Sequence, residues 1–205
     1  MRKNLFRFEP WIGELYFEGI NGKKIMILGE SHYCANENDA TPDITNRVIN
    51  DLFNPDSEHE SYKNTYTKFI RALSGNFSRS STNEKKEWWN KVLFYNYVQF
   101  PISSARQAPS SKEFVDSADA FFEVLNLYKP DCVLVWGTRL YKNLPRQGHQ
   151  LPDLIIDSRE SFETWAYETS DGHIVQLIPH THPSSAFSPD YWHTVFMAFL
   201  NRKVI

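Results

Sequence analysis

The chain has 205 residues, with 22 Lys and Arg against 25 Asp and Glu, and a formal net charge of -3. That balance excludes a generic polyanion binder with one large basic face. Apolar residues at 41% and aromatics at 15% exclude a disordered chain. The length suits one domain, residues 1–205, burying roughly 70% of its unfolded surface without staples.

No run of about 18 apolar residues offers a membrane span. Met1-Arg2-Lys3-Asn4 is not followed by the apolar stretch of a secretory leader. Cys34 and Cys132 are too few for a disulfide framework, a paired-cysteine metal knuckle or a four-cysteine cluster. A reducing, cytoplasmic setting is therefore expected, with no cofactor.

Asn21-Gly22 between apolar stretches predicts a tight turn, and Lys24–Leu28, apolar on both faces and stopped by Gly29, a buried parallel strand. Thr41-Pro42-Asp43 predicts a helix start with Thr41 as N-cap, followed by Ile44, Val48, Ile49, Leu52 and Phe53 at helical spacing. A second helix carries Tyr66, Phe69, Ile70 and Leu73 and ends at Gly75. Residues 78–83 are expected to be loop, 85–91 a short helix, and 92–100, rich in Val and aromatics, a strand closed by Pro101. A polar loop with Ser103, Ser104, Arg106 and Gln107 precedes a helix opening at Ser111 and stopped by Lys129-Pro130. Asp131–Trp136 is a second buried strand closed by Gly137, and 139–144 a short helix. Residues 154–156 and 165–167 are weaker strand signals. Asp171-Gly172 is a hairpin turn, 174–178 the last strand, and Pro189 opens a final helix. Alternation of strand and helix predicts an α/β fold, three-layer αβα, around a mostly parallel four-stranded sheet.

Ligands of such sheets sit off the carboxyl ends of the strands. Four stretches occupy those ends: Gly29-Glu30-Ser31-His32-Tyr33, residues 96–104, Gly137-Thr138-Arg139, and His180-Thr181-His182-Pro183-Ser184-Ser185. Gly29 allows an abrupt turn, Glu30 could activate a water, and Tyr33 could stack on a planar ligand. Asn96, in an apolar strand, either reads a nucleobase edge or bonds a neighbouring loop. His182 could hydrogen-bond an oxygen that gains negative charge, and Ser184 and Ser185 could hold a phosphate. A metal on His180 and His182 would need a third ligand from His32, Glu30 or Cys34, and no recognised spacing links them. Trp88, Trp89, Trp136 and Trp192 read as core, and His59, His149 and His173 as loop residues.

These motifs, in this order, resemble the uracil-DNA glycosylase superfamily over about residues 24–200. Gly29–Tyr33 corresponds to its GQDPY or GEAPG loop, Asn96 to its strand-end Asn, Pro130–Gly137 to its apolar strand ending in Gly, and His182–Ser185 to its HPSP loop. The resemblance implies base flipping followed by hydrolysis of an N-glycosidic bond. Glu30 would serve the water and His182 the leaving base. Gly29, Ser31, Tyr33, Asn96, Ser184 and Ser185 would bind substrate, Tyr33 or Phe53 would stack, and Phe187 would wedge into a duplex. Ser31 falls where GQDPY has its Asp, Ser185 replaces the second Pro of HPSP, Ala186 takes the apolar wedge position after it, and an iron–sulfur cluster has no ligand set. The implied partner is DNA, with single strands favoured by the net charge, or a nucleoside-like small molecule. Two alternatives stand beside this reading. One is a non-catalytic nucleic-acid or nucleotide binder on the same fold. The other is a serine esterase of the SGNH type, using Ser31 with Asp190 and His193.

Overall fold

In a computed structural model the protein is described for residues 4–58, 60–78, 81–104 and 107–202. Met1–Lys3, His59 and Arg106 lie outside the described residues. The strands are β1 (Trp11–Ile12), β2 (Ile25–Gly29), β3 (Val92–Asn96), β4 (Cys132–Trp136), β5 (His149–Asp157), β6 (Glu160–Glu168) and β7 (Ile174–His180). The α-helices are α1 (Ile44–Asp51), α2 (Ser61–Ser74), α3 (Thr82–Trp89), α4 (Ser111–Asp116), α5 (Ala118–Tyr128), α6 (Thr138–Asn143) and α7 (Pro189–Leu200).

The fold is α/β, and its sheet is larger than expected, with seven strands in the order β1-β3-β2-β4-β7-β6-β5. Its middle, β3-β2-β4-β7, is parallel, while β1, β6 and β5 add antiparallel edges. The two strand signals read as weak belong to a nine-residue pair, β5 and β6. They looked weak because Pro152, Asp153 and the bulges of β5 interrupt its pattern, and β5 is largely exposed while β6 mixes buried and exposed positions without clean alternation.

Alternate residues of the central strands feed two apolar clusters, one per face. Ile25, Ile27, Phe94, Leu134 and Ile178 pack with α1, α2, α3 and α7. Met26, Leu28, Tyr95, Val133 and Leu177 pack with α4, α5 and α6. Of the four tryptophans expected in the core, Trp89, Trp136 and Trp192 are buried, and Trp88 is half-buried against the same cluster.

Local chemistry explains the boundaries. Asn21 and Gly22 both take positive φ between the mutual backbone bonds of Ile20 and Lys23, so the two-residue turn is as expected. Gly75 ends α2 in the left-handed region. α3 starts earlier than expected because Ser81 and Glu84 form a capping box. Thr41 is not an N-cap: its carbonyl closes a turn onto Ile44 N–H, and its hydroxyl donates to Asp43 Oδ1 at 2.5 Å. The helix expected from Ser111 is split at Ser117, whose hydroxyl donates to the Glu113 carbonyl. Among the described residues no helix is long and apolar enough to cross a membrane.

Two histidines lie fully inside. His32 and His180 are 4% and 2% exposed, and burial lowers each pKa to about 3. Below pH 6.5 the unfolded chain takes up protons that the folded chain refuses, so stability falls as the pH drops from 6.5 toward 3. At pH 5 the loss is roughly 2 kcal/mol per histidine. Urea unfolding at pH 7 and pH 5 should show it, and His180→Phe should remove about half of the difference. Equal stability at both pH values would contradict these buried neutral rings.

Candidate functional site

The parallel register brings the four strand ends to one level. Gly29 pairs with Asn96, Leu28 with Val135, and Trp136 with His180. The four stretches singled out in the sequence therefore emerge along one edge of the sheet, as expected.

Asn96 and Gly29 are the tightest fit there. A Cβ on Gly29 would lie 2.1 Å from Asn96 Oδ1 and 3.0 Å from Phe94 Cζ. The glycine is thus required by the side chain on the strand beside it, and its own backbone stays in the strand without a positive φ. Asn96 is buried, and its Nδ2 donates to His32 Nε2 at 3.1 Å. Thr45 Oγ1 of α1 lies 3.0 Å from the same nitrogen. One edge of the carboxamide is therefore committed to the neighbouring loop, the second of the two roles read for it. The chain beyond β3 is held by Gln99, whose Nε2 donates to the Asn96 carbonyl and whose Oε1 accepts from Arg7 and Phe8 N–H.

His182 follows β7. Its Nδ1 receives the Ser184 backbone N–H at 3.2 Å and lies 2.7 Å from Ser184 Oγ. A backbone N–H can only donate, so Nδ1 carries the lone pair and the neutral ring bears its proton on Nε2. The ring stands edge-on to Trp136, with centroids 5.6 Å apart at 82°. Burial lowers its pKa, with Glu30 pulling upward and Arg139 downward.

Arg139 belongs to one of these four stretches, but no role of its own is expected for it from the sequence. It sits in the first turn of α6, just after Gly137 at φ +96°. Its Nε donates to Glu30 Oε2 at 2.8 Å and its Nη2 to Glu30 Oε1, a bidentate pair. The Glu30 side chain is 10% exposed and that of Arg139 54%. The pair also acts on Tyr33, whose hydroxyl pKa is raised by burial and by Glu30 and lowered by Arg139. Tyr66 of α2 completes the surroundings, with its ring 5.3 Å from Trp136 and 5.6 Å from Phe94. Burial, with a contribution from Tyr33, raises its hydroxyl pKa. The site therefore sets the half-exposed ring of Tyr33 beside an ion pair and a neutral imidazole donor, with Trp136, Phe94 and Tyr66 packed in the core behind them. Only a Gly-led strand end hinted at Arg139, and nothing in helical spacing separated Tyr66 from core.

Other expectations are corrected. Phe187 is buried and stacked on Trp192, at 6.0 Å and 14°, so it is core and no wedge. Phe53 packs on Trp11 and is no stacking platform for the site. The esterase triad is not assembled: His193 Nδ1 donates to the Ala72 carbonyl, Asp190 accepts from Ser188, and buried Ser31 Oγ has no partner among the described residues. His180 lies in the core, stacked on Phe69. Ser184 and Ser185 stand exposed at the rim. Among the described residues no three His, Cys, Asp or Glu side chains gather as a metal site.

No protein-family model matches the chain, and a search of curated proteins returns no match.

The Gly29–Asn96 fit gives a direct prediction. Gly29→Ala should lower stability by about 1–3 kcal/mol through overpacking. The double variant Gly29→Ala/Asn96→Ala should recover part of that loss in a denaturant double-mutant cycle. Additive effects would contradict the contact.

Proposed function

We propose that the strand-end site binds a nucleobase and hydrolyses its N-glycosidic bond, in the manner of a divergent uracil-DNA glycosylase on a three-layer αβα scaffold. The observation that carries this reading is the state of His182, a neutral ring whose Nε2–H is kept available because Ser184 N–H occupies Nδ1.

In this mechanism the C1′–N bond breaks and its electron pair passes to the base. The Nε2–H of His182 stabilises the charge that develops on a base oxygen. Water adds to C1′ and loses a proton to Glu30 or to solvent. Arg139 positions the Glu30 carboxylate, and both carboxylate oxygens keep a lone pair for that water. Tyr33, half exposed beside the ion pair, supplies the face on which a base stacks. Ser184 and Ser185, at the rim, are placed for phosphate. The substrate is DNA with a damaged or deaminated base, in a single strand, or a related nucleoside. The expected compartment is cytoplasmic, which suits the free buried thiols of Cys34 and Cys132.

One observation favours the non-catalytic alternative. The bidentate hold of Arg139 engages both Glu30 oxygens and so restricts the carboxylate's approach to a water. Activity decides between the two. Oligonucleotides carrying uracil, hypoxanthine or other altered bases should yield abasic sites, and His182→Ala should cut the rate at least tenfold. An intact panel with folded protein would reject catalysis, and salt-sensitive binding of the same strands would then support the binder.

The pH profile tests the ring directly. Protonating Nδ1 would set two N–H groups against each other at Ser184, and burial places that event below the ordinary histidine value of 6.5. The rate should stay level from pH 8 to 6.5 and fall at lower pH. A rise in rate as the pH drops below 6.5 would contradict a neutral donor.

A further inference from the structure

The loop that carries His182 also borders a cavity of about 390 Å³. Phe162 of β6 with Tyr191 and Trp192 of α7 form its aromatic walls, and His180, Thr138 and Ser188 add polar groups. Glu30, Arg139 and His182 do not line it, but their sequence neighbours do. Thr138 precedes Arg139, and His180 lies two residues before His182, a separation of at most about 7 Å along the chain. The cavity therefore adjoins the proposed catalytic groups across a single turn of loop.

Its chemistry is that of a site for an uncharged planar ring. The volume falls in the range of small-ligand pockets, roughly 300–1,000 Å³. Aromatic faces accept any base by stacking. His180 Nδ1–H donates to the Thr181 carbonyl at 2.8 Å, which leaves Nε2 as a bare acceptor, buried and without a partner among the described residues. Two carboxylates stand close by: Glu160 accepts from the Tyr191 hydroxyl and Asp190 from the Ser188 hydroxyl. Their charge disfavours a phosphate in the cavity, and the cation of the neighbourhood, Arg139, lies beside Thr138.

We infer that this cavity is a subsite for the nucleobase next to the one held at His182, on the same single strand. The inference rests on the reading in the preceding subsection and sharpens its substrate from a nucleoside to a strand of at least two nucleotides. The sugar–phosphate link then passes outside the cavity, along the exposed rim of Arg139, Ser184 and Ser185.

Calorimetric titration of the full chain at low salt tests it. The probes are dinucleotides with deoxyuridine or deoxyinosine at the target position and either adenine or an abasic sugar as neighbour, in both strand polarities. Charge is matched, so only the neighbouring base differs. In one polarity the adenine compound should bind at least tenfold tighter than its abasic counterpart. Tyr191→Ala and, independently, Ala186→Leu, which fills the mouth from an exposed position, should each bring that ratio within threefold. His182→Ala should leave the ratio in place while slowing hydrolysis. Equal binding of adenine and abasic compounds in both polarities would overturn the subsite and leave the reading standing. A tenfold ratio that survives both cavity variants would overturn it as well. Failure of every compound to bind would overturn the subsite together with the reading beneath it.

Discussion

The site depends on the contact between Gly29 and Asn96 at the ends of two adjacent parallel strands. The pair is in register, and the carboxamide occupies the space a Cβ on residue 29 would need. Once Asn96 lies there, its Nδ2 reaches His32, and His32 reaches Thr45 at the start of α1. The loop after β2 is thereby tied to its neighbouring strand and to the first helix. Glu30 and Tyr33 stand on that loop, so their placement follows from the packing constraint at its first residue, Gly29.

The opposite half of the site is set by electrostatics. Ser184 N–H fixes the tautomer of His182, and burial keeps the ring neutral. Arg139 and Glu30 bias that ring in opposite directions, and their bidentate pairing keeps both charges largely satisfied within the site. A neutral donor beside a balanced ion pair suits a reaction whose negative charge arises only as the bond breaks. A permanent cation at His182 would also attract unreactive anions.

Much of this was legible in the sequence. The four strand ends were readable because each buried parallel strand is a short apolar run closed by Gly, Pro or a polar residue. The alignment of Gly29, Asn96, Trp136 and His180 followed from the parallel topology. The outer strands were not readable, since β5 is mostly exposed and neither β5 nor β6 keeps a clean two-residue period. Phe187 was misassigned because one residue after an exposed stretch looks like a loop tip, yet it turns inward onto Trp192. Arg139 and Tyr66 belong to the site through pairings made across 109 residues in one case and through helix packing in the other. No local pattern carries such contacts.

The measurement that bears most directly on the central claim is nitrogen NMR of the imidazole of His182, with the ring labelled and assigned by His182→Ala. At neutral pH the expected result is a protonated Nε2 and a bare Nδ1, with protonation of the ring only below pH 6.5. An Nδ1–H tautomer, or an imidazolium at pH 7, would contradict the neutral Nε2–H donor on which the proposed chemistry is built.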